Sequence, residues 1–155
     1  MRTADQWFNV YTATHEHPVN RLIHRYCAPL AAVSIIGLLW SIPIPEAFAR
    51  ISSALNWGSA FVMAAIVYYF IISITLGFGM ILVMLGLMLG IHWMDNQWLP
   101  LWAVSLGLLV TCLLAMLGGH ALEGHKARMV GDLQLVMLAP IFLLAGLYRR
   151  LGISY

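Results

Sequence analysis

The stretch from Leu55 to Trp93 contains no aspartate, glutamate, lysine or arginine. It is too long for one membrane-crossing helix, which needs about 20 apolar residues, and has the right length for two. Of all residues, 62% are hydrophobic and only 9% are charged, whereas soluble domains carry about 25% charged residues. A chain of 155 residues cannot bury that much apolar surface within itself. The sequence therefore predicts an integral membrane protein.

Further apolar runs cover 28–42, 99–117 and 133–148. The uncharged stretch should break into two helices within 73–79, where small and polar residues cluster, and Gly77, Gly86 and Gly90 should allow close helix approach. Ahead of the first run, residues 5–14 place Trp7 and Tyr11 on one helical face, as in helices that lie in the membrane interface.

We therefore expect an all-α integral membrane bundle of four or five transmembrane helices, preceded by an N-terminal interfacial helix. Residues 1–155 should form a single membrane-embedded catalytic domain, because no repeat, linker or low-complexity tract divides the chain.

Most side chains that could bind a metal or take part in catalysis lie in two segments, residues 5–27 and residues 118–132, called the polar islands below. They hold five of the six histidines: His15, His17, His24, His120 and His125. Four predicted spans separate the islands, and an even number of crossings returns the chain to the same side of the membrane. We expect the islands to meet there and to share a metal ion. His92 falls on the opposite side and should be structural.

Helical spacing groups some of these residues. On a helix that begins at Pro18, Asn20 and His24 lie on one face, and a helical second island would align His120 with Glu123. Imidazoles with one carboxylate and open coordination positions suit Fe²⁺ that activates oxygen, or Zn²⁺ that binds water. Helical phase alone favours His17 as the partner of His24. The pair Gly118-Gly119 predicts a turn at a helix end.

Basic residues accompany both islands and have two interpretations. They either anchor the helices at lipid phosphates or hold the carboxylate of an acidic lipid substrate, for which the arginine fork is suited. Their distribution favours the cytoplasmic face for both islands. The net charge of +2 forms no basic stripe, which argues against nucleic acid as a partner. The candidate substrate-binding residues are Arg21, Arg25, Lys126 and Arg128.

Two motifs and a third segment together resemble a known family. They are Tyr11-x3-His15-x4-Asn20-x3-His24-x4-Pro29-Leu30, then Gly119-His120-x2-Glu123-Gly124, then Ala139-Pro140-Ile141-Phe142. This pattern is similar to the small membrane proteins related to the 2-hydroxy fatty acid dioxygenase of phytosphingosine breakdown. The resemblance covers nearly the whole chain, including the order of the spans.

The resemblance implies an Fe²⁺ enzyme of fatty acid α-oxidation, which uses O2 to convert a 2-hydroxy fatty acid into a fatty acid one carbon shorter. It implies His15, His24 and His120 as metal ligands, and Asn20 and Glu123 as the other polar residues of the site. His17 and His125 are additional candidate ligands.

Several alternatives stay open. They are another metal-dependent membrane lipid enzyme, such as a zinc hydrolase or an iron hydroxylase, a non-enzymatic membrane scaffold, and a small transporter. The expected location is the inner membrane in a bacterium, or the endoplasmic reticulum in a eukaryote.

Overall fold

The computed structural model describes residues 18–52, 54–123 and 129–154, and within these ranges every regular element is a helix. The predicted interfacial helix at 5–14 lies outside them. The predicted all-α class is confirmed. The helices, in chain order, are α1 (Pro18–Trp40), α2 (Glu46–Ile51), α3 (Trp57–Ile72), α4 (Ile74–Asp95), α5 (Leu101–Glu123) and α6 (Met129–Leu151).

Among the described residues, three helices are long and apolar enough to cross a membrane: Pro18–Trp40, Ile74–Asp95 and Leu101–Ala121, with Trp57–Ile72 as a shorter apolar helix. Large apolar side chains point outward from them, including Phe78 at 62%, Leu82 at 73% and Leu114 at 64% exposure. Such a continuous apolar exterior needs lipid as its solvent. The described structure is therefore that of a helical membrane bundle.

The helices α1, α3, α4 and α5 alternate in direction. Gly58, at the start of α3, lies against the end of α1, where a Cβ atom would stand 3.2 Å from the backbone nitrogen of Trp40. The Trp40 indole also donates a hydrogen bond of 3.3 Å to Asp95 at the end of α4. Pro18, Ile74 and Glu123 consequently share one end of the bundle, called the proximal end below, and the opposite end is called distal.

A single residue, Ser73, separates α3 from α4, within the segment where the sequence predicts the break. Its backbone is extended, with φ −161° and ψ 128°. Its N–H still donates to the Tyr69 carbonyl at 3.0 Å, while its hydroxyl accepts the N–H of Leu76 at 3.3 Å. Ser73 thus ends one helix and caps the next.

The prediction of close helix approach at three glycines of α4 holds for only one of them. A Cβ atom at Gly77 would stand 2.7 Å from the Phe70 ring of α3, whereas Cβ atoms at Gly86 and Gly90 would meet nothing within 4 Å. Gly86 and Gly90 lie on the exposed side of α4, so the expectation was wrong for these two positions.

The closest helix pair is α1 with α5, which run antiparallel. Near the distal end, a Cβ atom on Gly37 would collide with the Ser105 hydroxyl. In the middle, a cluster of small and flexible side chains is buried between the two helices. Small residues let helix backbones approach in lipid, where packing replaces the hydrophobic effect as the main attraction. The residues in this cluster are Ala28, Ala31, Ala32, Cys112 and Met116.

Helix α6 leans across the bundle from α1 to α4. Val136 and Ala139 pack on the α1–α5 cluster. Further along α6, Tyr148 reaches Gly79, which lies near the start of α4. Between these points Pro140 lacks an amide hydrogen and interrupts the helical hydrogen bonding, and the buried Tyr69 hydroxyl donates to the nearby Met137 carbonyl at 3.0 Å. That bond fixes α6 against α3.

We expect Gly37→Ala to destabilise the protein, because the added methyl group has no room beside Ser105. Overpacking of this kind costs about 1–3 kcal/mol, which would appear as a lower Tm in detergent. Gly107→Ala on α5 is the control, since its Cβ atom would meet nothing within 4 Å. Ser105→Ala should relieve much of the loss in a double variant. Equal Tm values for Gly37→Ala and Gly107→Ala would contradict the packing described.

Candidate metal centre

Two polar side chains on the first turns of α1 point into the bundle. Asn20 and His24 are one helical turn apart and therefore share a face. Asn20 is 0% exposed and His24 is 1% exposed, although both lie near the proximal end, where polar groups usually reach water. Burying an amide and an imidazole together is costly unless their polar atoms find partners. The inward face of α1 is therefore the first candidate for chemistry.

His120, in the last turns of α5, completes an imidazole pair with His24. The ring centroids are 4.8 Å apart and the rings meet edge to face at 68°. His120 is only partly buried, so this side of the pair lies nearer to the surface. The expected meeting of the two polar islands is thus observed for His24 and His120.

Gly119 makes room for Asn20. A Cβ atom on Gly119 would run into the Asn20 Oδ1 atom and would lie 3.1 Å from its Cγ atom. The sequence predicts a turn at Gly118-Gly119, but α5 continues through both residues to Glu123, so that prediction was wrong. Gly119 instead lets the Asn20 amide sit directly on the α5 backbone.

The Asn20 amide has no hydrogen-bond partner among the described residues, at either its oxygen or its nitrogen. A buried polar group left in that condition costs about 1–3 kcal/mol. Native proteins rarely leave such groups unsatisfied, and functional sites are a common setting for the exceptions. The amide is therefore aimed at a group other than the described residues.

The remaining predicted site residues fall into two sets. Arg21 and Arg25 are on the exposed side of α1, turned away from Asn20 and His24. Glu123 ends α5, and its side chain lies outside the described part of the structure. The other predicted residues also lie outside the described residues: His15, His17, His125, Lys126 and Arg128.

His92 belongs to a different part of the molecule, as predicted. It lies at the distal end, where its ring centroid is 6.4 Å from that of Trp40. The length of the bundle separates it from the imidazole pair, so it cannot contribute to the same site.

The described donors suit a first-row divalent metal, although they do not complete its coordination. Imidazole nitrogens and an amide oxygen are ligands that Fe²⁺ and Zn²⁺ accept. Among the side chains that the structure describes, in 18–52, 54–121 and 136–154, no three histidine, cysteine, aspartate or glutamate side chains converge on one point. Two imidazoles and the Asn20 amide therefore fit part of a metal site, and a third strong ligand has to come from another segment.

An apolar cavity of about 310 Å³ lies among α1, α3, α4 and α6. Its walls consist of aliphatic and aromatic side chains, together with Tyr69, whose hydroxyl is engaged by Met137. Its lining residues belong to α1, α3, α4 and α6, whereas the ring that contacts His24 belongs to α5, so α1 has the cavity on one face and the imidazole pair on another. The sequence allows an acyl-chain groove at the methionine-rich stretch 80–88 but favours core or lipid-facing packing there, because apolar residues that line a cavity and those that fill a core have the same pattern.

Fold and site together define a small helical membrane protein with an imidazole pair, one ring of it buried, at one end of its bundle. Comparison with known families gives a more specific answer. Residues 1–151 match the family described as 2-hydroxy-palmitic acid dioxygenase Mpo1-like, and the chain belongs to that family. This agrees with the resemblance carried by the two histidine motifs. No curated protein and no solved structure gives a significant match.

The close contact between Gly119 and Asn20 can be tested with adjacent glycines. We expect Gly119→Ala to lower the Tm by an amount equivalent to about 1–3 kcal/mol, because the fully buried Asn20 amide blocks the new methyl group. Gly118→Ala is the matched control, since a Cβ atom there meets nothing within 4 Å. Adding Asn20→Ala should recover stability in Gly119→Ala. Identical thermal unfolding of the two glycine variants would refute the contact.

Proposed function

We propose that this protein is an Fe²⁺-dependent dioxygenase that cleaves 2-hydroxy fatty acids to fatty acids one carbon shorter. The observation that carries the proposal is the contact of buried His24 with partly buried His120, beside the buried Asn20. It lies at one end of a membrane bundle whose family is described as a 2-hydroxy-palmitic acid dioxygenase. A metal-binding donor set and a lipid environment are both requirements of that reaction.

The proposed reaction balances without an external reductant. A 2-hydroxy fatty acid and O2 give the shortened fatty acid, CO2 and water. The bond between C1 and C2 breaks, C1 leaves as CO2, and C2 becomes the new carboxyl carbon. The two carbons together lose four electrons, which is the number that O2 accepts. The proposed substrates are therefore the hydroxy acid and O2 alone.

His24 and His120 would hold the iron together with His15, which stands nine residues before His24 and outside the described range. His17 and His125 are the additional candidates for the remaining coordination positions. Ferrous iron with open positions supplies oxygen activation and binds a hydroxyl and a carboxylate oxygen. Zn²⁺ in the same positions would instead favour the hydrolase alternative.

The protein's own residues would bind and orient the substrate head group. The buried Asn20 amide can donate to a carboxylate or hydroxyl oxygen, and its rigid seat on Gly119 fixes the direction of that hydrogen bond. Burial of His24 keeps bulk water away from the reacting carbons. Glu123, one turn beyond His120, is the proposed proton acceptor. Orientation of this kind lowers the barrier by holding the reacting groups in place.

The basic residues would attract the anionic head group to the proximal end. Arg21 and Arg25 point outward there, a position suited to the first encounter with a fatty acid in the membrane. Lys126 and Arg128 follow His120 in the chain and are the proposed contacts of the bound carboxylate. These four basic residues outnumber Arg50, which lies in α2 at the distal end, so we propose that the proximal end faces the cytoplasm.

Iron content of anaerobically purified protein tests the site. We expect His24→Gln and His120→Gln to lose the bound iron and to lower turnover of 2-hydroxypalmitate by at least about 100-fold, since loss of even a supporting residue costs about 10–100-fold. His92→Gln, at the distal end, is the control and should keep both. Full iron and full turnover in either site variant would refute the assignment. Zinc in place of iron, without oxygen-dependent turnover, would favour the hydrolase.

A further inference from the structure

The directions of the helices orient the apolar cavity relative to the imidazole pair. α1 and α4 start at the proximal end, and α3 finishes there, so lining residues can be ordered along the bundle. Pro29 and Tyr69 line the part nearer to His24, while Ile36, Phe61 and Leu87 line the part nearer to the distal end. The cavity therefore extends away from the candidate metal centre along the bundle.

The apolar lining of the cavity restricts which ligands it can bind. Among the lining side chains that the structure describes, only Tyr69 has a hydroxyl, and that hydroxyl already donates to Met137. A ligand with polar groups would lose hydrogen bonds to water on entering and would gain none. A hydrocarbon chain has no such cost, and each buried methylene adds about fourfold to affinity.

The volume indicates how much hydrocarbon fits. An engineered apolar cavity of about 150 Å³ holds one benzene molecule, so a cavity of 310 Å³ accommodates roughly a dozen carbons. Pro29 follows His24 by five residues, a rise of about 7 Å along α1, although the two residues lie on different faces of that helix. A sixteen-carbon acid is longer than the cavity alone can hold, so its head-group end would lie outside the cavity, toward the proximal end.

We infer that this cavity binds the distal part of the substrate's acyl chain, and that Ile36, Phe61 and Leu87 set the longest chain that fits. The identity of the substrate rests on the proposed function, whereas the selection of a hydrocarbon chain by length rests on the cavity alone. Chains too short leave the distal part of the cavity empty, and chains too long meet the Phe61 ring. Chain length is thus selected mainly by α3 and α4, remote from the metal ligands.

Two adjacent alanines of α3 provide a matched test. Ala65 lines the cavity, whereas Ala64 is exposed on the outer side of the same helix. Phenylalanine at either position adds the same volume and has the same helix propensity. Ala65→Phe should fill the middle of the cavity and displace several methylenes. We expect it to weaken palmitate binding about 100-fold relative to decanoate, at about fourfold per methylene for three or four methylenes. Ala64→Phe should bind like the wild type.

A second variant should change the preferred chain length in the opposite direction. It keeps the inference testable if Ala65→Phe does not fold. Phe61→Ala enlarges the distal part of the cavity, so it should shift the preferred chain length upward by a few methylenes. Binding is measured by displacement of radiolabelled palmitate from protein in nanodiscs, using unhydroxylated fatty acids of graded length that are not turned over. Turnover of the matching 2-hydroxy acids is measured in parallel.

The two measurements separate the inference from the proposed function. A changed chain-length profile in Ala65→Phe and Phe61→Ala, with Ala64→Phe unchanged, supports the acyl-chain cavity even if no 2-hydroxy acid is consumed. In that case the proposed function would be refuted, while the assignment of the acyl-chain cavity would stand. Identical profiles in all variants, or no fatty acid binding by the wild type, would overturn the cavity assignment even if the hydroxy acids are cleaved.

Discussion

The site depends on how closely α1 and α5 approach each other. Two glycines make this approach possible, Gly37 opposite Ser105 and Gly119 opposite Asn20, one toward each end of the contact. In lipid no hydrophobic force drives helices together, so close packing of small residues has to supply the attraction. The same approach brings the His24 and His120 rings into contact. A slightly wider separation of these helices would leave two isolated histidines and no site.

The sequence predicted the class of fold because membrane solvation leaves few choices for an uncharged chain. It also paired the two polar islands, because an even number of spans returns the chain to the same side. It did not predict that Gly119 lies inside a helix. A pair of glycines is equally compatible with the end of a helix and with a close contact between two helices. The sequence also left open the position of the cavity and the path of α6, for a related reason. Both depend on which apolar side chains meet, and apolar composition does not encode that.

Several polar side chains in this bundle make hydrogen bonds at the ends and breaks of its helices. Trp40 and Asp95 join helix ends at the distal surface, and Ser73 and Tyr69 satisfy backbone groups where helices break or bend. The first of these bonds joins two side chains, and the other two satisfy backbone groups. Asn20 differs, because its buried amide is satisfied by none of the described residues. A buried amide of this kind, placed beside the His24 ring, marks a place where another molecule or ion is expected to bind.

Helix α1 contributes residues both to the imidazole site and to the apolar cavity. One face contributes Asn20 and His24 to the imidazole site, and another contributes Pro29 and Ile36 to the cavity. The other walls of the cavity come from α3, α4 and α6, while the described partner of His24 comes from α5. Substitutions in α3 or α4 can therefore reshape the cavity while the contact between His24 and His120 is kept. Under the proposed function, related proteins could diverge in the lipids they accept while inheriting one unchanged site.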